Sequence, residues 1–511
     1  MSFNSSSPTL RLCSSLGRQF VVPPRPFPRL HRIAAMSIST SSELDQVTEG
    51  RVRELEARVA ELHLKAQALN KQPGREAEAT AVYKELAALD DEALELKLSG
   101  AQPPTATAIT AIASTFPAFY SPLLPPSGWR SAENRCRAIN AVLGAALGDA
   151  AACSCQWVYS EPAMAALAVS AAERGTGLEF FDPPQCPFFS YPLGSPSPYF
   201  EQAAVLLRSL VEAGRLDLTH YAAAVFAAFG PGYAGYRDRS TKNFLRRYAA
   251  GAAPPLTGTV DDQANAFARL PPLVALHAGA ERGELVAAVE RMIRVTQNDP
   301  VAVAYGTAAA LILEAVVQGA NVAAAVASTV DWLLGQEAQQ VVLHLEYRQA
   351  QQAQQQEQGQ AQLTVQQHAQ ERPGDLPKGQ AGAWPAEQEV TALSHTTAAE
   401  GDDAGACLPC SMGACPLPGT PAERSATAGR RVLAAIQEQQ HAGSAAQLPP
   451  EAFLEGVRLA IRPGGCCASR AGFVGALLGA LGMQLPADWE GRVLGYASVR
   501  QHAELLVRLR D

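Results

Sequence analysis

Two segments near the amino terminus carry apolar residues at helical spacing. In RVRELEARVAELHLKAQAL the apolar positions step by three and four, at Val52, Leu55, Val59, Leu62, Ala66 and Leu69. The next segment repeats these steps at Ala79, Val82, Leu86, Leu89, Ala93 and Leu96. Such seams are typical of paired helices, and Pro73 and Gly74 supply a turn between them. The pattern predicts an antiparallel, coiled-coil-like helical hairpin over residues 43–100, serving as a spacer or as a docking element for a protein partner.

Helical spacing also dominates the chain that follows a proline-rich linker over residues 101–130. GELVAAVERMIRVTQ places apolar side chains on one helical face, and AVAYGTAAALILEAVVQGANV is apolar nearly all round, as expected of a core helix. Strand-like alternation is scarce. We therefore predict an all-α globule of many helices with Ala and Gly at the helix contacts, its first part over residues 131–348 and its closing part over residues 425–511.

The segment between these two parts has a different composition. Residues 349–370 contain twelve glutamines in twenty-two positions, and small or polar residues follow to about residue 424. Such a stretch buries too little apolar surface to offset its ordering entropy, which predicts a disordered insertion over residues 349–424. Within it, CLPCSMGAC holds three cysteines that would be a redox pair, half of a zinc site with His395, or low-complexity drift: Cys407, Cys410 and Cys415.

Residues 1–42 carry five arginines and ten serines but no lysine, aspartate or glutamate. This composition is typical of an organelle transit peptide. The abundance of serine favours a chloroplast over a mitochondrion. The alternative is that translation starts at Met36, which would leave the protein in the cytoplasm.

Composition narrows the choice of partners. The 511-residue chain is 47% hydrophobic and has a net charge of −8, so it lacks the basic stripe that a nucleic-acid partner would need. No uncharged apolar run reaches the length of a membrane span, and we expect no membrane partner. The ten cysteines are unevenly spaced, which favours free thiols in a reducing compartment.

Four stretches of the body carry recognisable motifs: INAVLGAALGDAAACSCQWVYS (139–160), DDQANAFARLPPLVALHAG (261–279), VTQNDPVAVAYGTAAALILEAVVQGANV (295–322) and GALLGALGMQLPADW (475–489). They resemble motifs of the ADP-ribosylglycohydrolase family. The resemblance covers most of residues 135–340 and 425–505, and within the family it is greatest to the J-type lens crystallins and selenoprotein J, whose signatures are similar to GGCCASRA and DDQAN here. It implies an ADP-ribosylglycohydrolase-like fold and, as partner, an ADP-ribose-like small molecule or an ADP-ribosylated protein.

The resemblance also implies a site. Classical members hold two Mg²⁺ or Mn²⁺ ions with carboxylates, but here Gln156 stands in place of an early acid, Glu201 is what remains of an acidic cluster, and CCAS replaces a closing Asp-Thr-Asp-Thr. No metal ligand is therefore assigned, and the cofactor is left open. The candidate catalytic residues are Asp149, Glu201, Cys466 and Cys467. The candidate substrate-binding residues are Gln156, Gly464, Gly465 and Ser469.

The adjacent thiols Cys466 and Cys467 have their own interpretation. If Ser469 caps the helix that follows, they lie at its amino terminus, where the helix dipole and nearby arginines favour thiolate. Cys153 and Cys155 follow the Gly148–Asp149 pair, whose counterpart in the family lies close to the same pocket. The four sulfurs would form a redox site, bind a soft metal, or simply pack in the core.

Other polar and aromatic residues have structural as well as functional interpretations. Asp299 before Pro300 predicts a helix cap. Asp261 and Asp262 mark a helix start, which is favoured, or a pocket rim. Three large aromatic residues would stack on an adenine or ribose or pack in the core: Trp157, Tyr159 and Trp489.

Three functions remain open from the sequence. The first is hydrolysis of an N- or O-glycosidic bond to ADP-ribose, which family resemblance supports and the missing ligands oppose. The second is a catalytically silent, crystallin-like binding or structural protein. The third is a thiol-based redox protein on the same fold.

Overall fold

The structure is a computed structural model that describes residues 43–335 and 451–511, apart from positions 71, 73 and 262. Within these ranges the chain is helical, and its β-pairing is limited to isolated bridges. The predicted all-α fold is confirmed. The predicted transit peptide, the glutamine-rich insertion with its three cysteines, and Asp262 lie outside the described residues.

The predicted hairpin is confirmed as helices α1 (Glu43–Asn70) and α2 (Glu76–Leu98). Its apolar seam is buried, and the ion pairs across it, such as Arg51 with Glu92, are largely exposed. Exposed ion pairs contribute little to stability, so the seam supplies most of the attraction between the two helices. One buried cluster of the seam contains Leu62, Ala66, Leu69, Ala79, Val82, Tyr83 and Leu86.

Two short helices lie in the stretch predicted as a linker, α3 (Ala106–Thr115) and α4 (Pro117–Tyr120). The body then begins with α5. Its helices before the gap are α5 (Ala132–Cys153), α6 (Glu161–Glu173), α7 (Pro198–Ala213), α8 (Leu218–Phe229), α9 (Arg239–Ala249), the 3₁₀ helix η1 (Ala264–Arg269), α10 (Leu270–His277), α11 (Arg282–Arg294), α12 (Pro300–Val317) and α13 (Val322–Gly335). After the gap come α14 (Ala452–Ile461), α15 (Cys467–Ala480), α16 (Ala487–Glu490) and α17 (Tyr496–Arg508).

Side-chain caps set where several of these helices begin. Asp299 accepts a hydrogen bond from the backbone N–H of Val301 at 2.7 Å, with Pro300 as the first helical residue of α12. The cap predicted from the Asp-Pro pair is confirmed. The same role is played before α5, α6, α8 and α9 by Ser131, Ser160, Asp217 and Asp238.

Helices α5 and α15 form the centre of the body. They approach so closely that a methyl group on Gly144 would overlap the carbonyl oxygen of Gly475, and one on Gly148 would overlap that of Ala471. Gly479 faces the carbonyl of Asn140 in the same way. Spacings of four place these residues in one row on each helix, so the two backbones touch along several turns.

Helices α5 and α12 are long and apolar enough to cross a membrane by length and composition alone. In their most apolar stretches, 78% of α5 and 44% of α12 is buried against other parts of the protein. Burial of this kind is also what the core helices of a globular protein show.

Replacing Gly475 with Ala is expected to destabilise the protein. The added methyl group meets backbone on α5, which cannot move aside as a flexible side chain would, and overpacking of this kind typically costs about 1–3 kcal/mol. The matched control is Gly491→Ala, where no atom lies within 4 Å of the new methyl group. Urea denaturation monitored by circular dichroism measures both variants. Equal midpoints for the two variants would contradict the close contact.

Candidate functional site

The carboxyl group of Asp149 lies where α5 meets the start of α7. Asp149 is 1% exposed and accepts two hydrogen bonds from Ser197, one from the backbone N–H and one from the hydroxyl, each at 2.6 Å. Burial raises the pKa of Asp149 to about 7, although the two hydrogen bonds favour the charged form; the nearby Glu201 adds to the rise. Asp149 thus links the core helix to the cap of α7.

Glu201 lies in the first turn of α7 between two tyrosines. Its carboxylate accepts hydrogen bonds from the hydroxyl of Tyr233 and, at 3.5 Å, from that of Tyr191. Burial raises the pKa of Glu201, and the two hydroxyl donors lower it. The Tyr191 hydroxyl also accepts the backbone N–H of Tyr236 at 2.9 Å, which ties two loops together around the carboxylate.

Trp157 lies next to the tyrosines that surround Glu201, with Phe189 between its ring and that of Tyr191. Its side chain is 1% exposed, and its backbone has φ +61°, which is rare for a residue with a side chain. The indole N–H points at the sulfur of Cys466, 3.2 Å away. Four rings pack around it edge-on, with centroids 4.8–6.1 Å away, so that Trp157 packs in the core: Phe188, Phe189, Tyr199 and Tyr236. We call these five rings the aromatic cluster.

The Gly464–Gly465 turn holds this tryptophan in place. The backbone N–H of Trp157 donates to the carbonyl of Gly465, and the N–H of Gly465 donates to the carbonyl of Val158, both at 2.8 Å. Both glycines have positive φ, and a methyl group on Gly464 would overlap the Val158 carbonyl. The turn predicted to bind substrate therefore has a backbone partner within the chain.

The amino terminus of α15 is capped by Gln156 and not, as expected, by Ser469. The side-chain oxygen of Gln156 accepts the backbone N–H of Ala468 at 2.8 Å. Ser469 already lies in the first turn, where its hydroxyl donates to the carbonyl of Cys466 at 3.2 Å. Gln156 is fully buried, and its Nε2 has no hydrogen-bond partner within the described residues. Gln156, at the position where the resemblance implies an acid, thus provides the hydrogen-bond acceptor for a backbone N–H at the start of α15.

The thiols near α15 are buried rather than activated. Burial raises the pKa of Cys467 well above its ordinary value, which is the reverse of the predicted shift toward thiolate. Burial also raises the pKa of Cys155 to about 12. Burial likewise raises the pKa of Cys153 well above its ordinary value. Arg470 donates to the carbonyls of Ala460 and Gly464 and lies close enough to lower the pKa of Cys467, but burial outweighs it. Arg462 pairs with Glu455.

No disulfide joins the Cys466–Cys467 pair to Cys153 or Cys155. Cys153, Cys155 and Cys467 are free thiols, whereas Cys466 is disulfide-bonded. The Cys467 thiol donates to the carbonyl of Ala152 at 3.4 Å. Three of the four cysteines therefore serve as small buried side chains.

The predicted site residues fall into two neighbouring groups. Asp149 and Glu201 are close enough for the charge of one to raise the pKa of the other. Both carboxyl groups and Cys467 lie close enough to Cys153 to raise its pKa. Cys466 is connected to Glu201 through ring contacts that run from Trp157 by Phe189 to Tyr191. The space beside Cys153 and Tyr191 is a cavity of about 10 Å³, which is room for roughly one water molecule.

The donor set around this site does not fit a pair of divalent cations. Among residues 43–335 and 451–511, no three His, Cys, Asp or Glu side chains are placed to hold a metal ion. Mg²⁺ needs oxygen ligands in near-octahedral geometry, and each of the two carboxylates present already has two hydrogen-bond donors.

Sequence reasoning missed the residues that surround the carboxylates. Ser197 had a signal, since a serine before Pro198 is the start of a helix. Tyr191 and Tyr233 had no such signal in the sequence, because both lie in loops without periodicity.

Asp261 lies just before η1 and accepts the backbone N–H of Gln263 at 3.1 Å, in line with the favoured helix start. Trp489 is 2% exposed and packs on Phe180 and Phe453, so it is a core residue.

The chain is similar to known proteins in sequence and in structure. The family model described as ADP-ribosylglycohydrolase matches residues 130–511. Crystallin J1A and crystallin J1B of Tripedalia cystophora are 29% and 28% identical over 177 residues, which are 32% of this chain and 52% of each crystallin. The chain thus spans about half the length of the curated relatives it matches. A solved ADP-ribosylglycohydrolase-related protein complex is similar over 74% of this chain and 99% of that one, at 19% identity and a TM-score of 0.43.

Asp149→Asn is expected to change how stability depends on pH. An aspartate titrates near 3.9 in an unfolded chain and Asp149 near 7 in the folded protein, so the folded state holds the extra proton between these values. The stability that this proton provides is complete below about pH 4 and is lost as the pH rises through 7. Relative to the Asp149→Asn variant, the parent should lose on the order of a few kcal/mol between pH 4 and 8.

Urea denaturation at several pH values measures this difference. The exposed Asp488→Asn variant is the control and should follow the parent at every pH. If the stabilities of the parent and of Asp149→Asn stay parallel from pH 4 to 8, the pKa of Asp149 is not raised.

Proposed function

The chain belongs to the ADP-ribosylglycohydrolase family, and on this premise we propose that it is a catalytically silent member. In this proposal the protein uses the family's fold for binding or for structure and does not carry out two-metal hydrolysis of bonds to ADP-ribose.

The first turn of α15 carries the proposal. There, the positions that would supply the closing carboxylates hold Cys466 and Ala468, and the side chain of Ser469 is turned back to the helix backbone. The early acid is Gln156, whose oxygen is used as a cap. A metal ion at this place would meet an apolar methyl group and sulfur, which are poor partners for Mg²⁺ or Mn²⁺.

The two remaining carboxyl groups support the same conclusion. A cation at Asp149 would compete with the two hydrogen bonds from Ser197, and one at Glu201 would compete with the hydroxyl groups of Tyr233 and Tyr191. Burial raises the pKa of each carboxyl group, which favours the neutral form over a metal-binding carboxylate. Two such groups supply far fewer oxygen ligands than a pair of octahedral ions requires.

The two similar proteins named crystallin favour a binding or structural role, over the half of their length that the match covers. The ligand we propose for a binding role is an ADP-ribose-like small molecule or an ADP-ribosylated protein. The redox alternative is less well supported, because burial raises the pKa of the free thiols Cys153, Cys155 and Cys467. We also propose, from composition alone, that residues 1–42 direct the chain to a chloroplast.

Hydrolysis is tested by incubating the full chain with an ADP-ribosylated protein in the presence of excess Mg²⁺ or Mn²⁺. No metal-dependent release of ADP-ribose is expected, and neither metal should raise the melting temperature, since a ligand stabilises a protein only where it binds the folded state. An active family member in the same buffer is the positive control. Titration calorimetry with ADP-ribose then separates a binding role from a purely structural one.

Asp149→Asn is the matched variant for this assay. Metal-dependent release by the parent that disappears in Asp149→Asn would overturn the proposal in favour of hydrolysis. Release that is the same in both proteins points instead to a contaminating hydrolase, because Asp149 is one of only two carboxyl groups described at the site.

A further inference from the structure

The amino-terminal hairpin does not stand apart from the body. Its second helix, α2, presents three acidic side chains to three basic side chains of the body. Lys242 pairs with Asp90 at 3.0 Å and with Asp91 at 3.2 Å, Arg237 pairs with Glu95 at 2.6 Å, and Arg246 pairs with Asp90. We call this set of contacts the ionic latch.

The latch differs from the surface ion pairs elsewhere on the hairpin. With the hairpin in place, the side chains of Arg237 and Lys242 are only 3% and 7% exposed, so the hairpin carboxylates neutralise buried cations. Losing one partner of a buried pair leaves an uncompensated charge and is far more costly than losing a surface pair. The pairs between Arg58 and Glu61 or Arg51 and Glu92 lie at side chains that are about half exposed.

The latch joins the hairpin to the loop that carries Tyr233 and Tyr236. The second oxygen of Glu95 accepts the backbone N–H of Gly232 at 3.2 Å. Arg237, which is held by Glu95, also donates to the carbonyls of Phe229 and Gly230. One end of α2 therefore fixes the loop whose tyrosine hydroxyl bonds to Glu201.

The hairpin also holds a second loop by apolar contact. Phe188 packs against the buried seam of the hairpin and, edge-on, against Trp157 at 5.4 Å between ring centroids. Burial raises the pKa of the nearby Cys186 thiol to about 11, and Lys84 of α2 lies close enough to oppose that rise. Both loops that supply rings to the aromatic cluster are thus covered by the same two helices.

From these contacts we propose that the hairpin is a built-in lid over the aromatic cluster, held closed by the ionic latch. When the latch opens, α1 and α2 stay packed on each other through their apolar seam and move away from the body together. The loops at residues 184–191 and 230–237 then become accessible to solvent. The inference does not depend on the proposed function, since it concerns access to the site and not what the site does.

The lid is tested by opening the latch in the full chain with Asp90→Asn, Asp91→Asn and Glu95→Gln together. Two readouts follow the covered loops: the rate at which a maleimide labels Cys186, resolved by mass spectrometry, and amide hydrogen exchange of residues 184–191 and 230–237. Labelling of Cys186 should accelerate on the order of tenfold, because local opening becomes easier. Cys136, an exposed free thiol, should label at an unchanged rate.

A matched variant carries the same change in charge at hairpin acids outside the ionic latch: Glu54→Gln, Glu61→Gln and Glu92→Gln. These acids pair only within the hairpin among the ion pairs described, so Cys186 should label as in the parent. Equal labelling in both triple variants, whether raised or unchanged, would overturn the proposal.

Exchange of the α5 amides separates opening from unfolding. In a folded latch variant these amides stay protected while the two loops exchange faster. If α5 also loses protection, Glu95→Gln alone, at a side chain that is 40% exposed, replaces the triple variant. An unchanged Cys186 rate and unchanged loop exchange in that folded single variant would then rule the lid out.

Discussion

Backbone contact between α5 and α15 is the constraint on which the rest of the body depends. Gly144, Gly148, Gly475 and Gly479 leave no side chain between the two helices, so carbonyl groups of one touch α-carbons of the other. These helices come from the two parts of the body that flank residues 336–450. Because only glycine fits at these positions, the contact also fixes the register in which the two parts join.

That register determines what the site can be. It brings the end of α5 beside the start of α15, so Gln156 reaches Ala468 and the Gly464–Gly465 turn reaches Trp157. In this chain those approaches are used for capping and for backbone pairing. Gln156, Gly464 and Gly465, which the family resemblance predicts to bind substrate, make contacts within the protein. The aromatic cluster fills the space beside them.

The sequence was informative wherever local physics decides the structure. Periodicity was enough for the hairpin and for the core character of α12, and the Asp299–Pro300 pair was enough for a helix start. The site was harder because its determinants are not local. Ser469 has the chemistry of a cap, but Gln156 lies more than three hundred residues away in the chain and takes that role. Burial, which no spacing reveals, reversed the expected effect of helix and arginine on Cys467.

The left-handed backbone at Trp157 bears on what it would take to build acidic side chains into the first turn of α15. A residue in that conformation persists only because its surroundings over-determine it, here the Gly465 bridge and four packed rings. Acidic side chains at 466 and 468 would leave the indole of Trp157 in place. Removing that indole would leave a cavity among the four rings that pack on it. A pair of acids at these positions would therefore require changes in the ring packing around Trp157 as well as the two substitutions themselves.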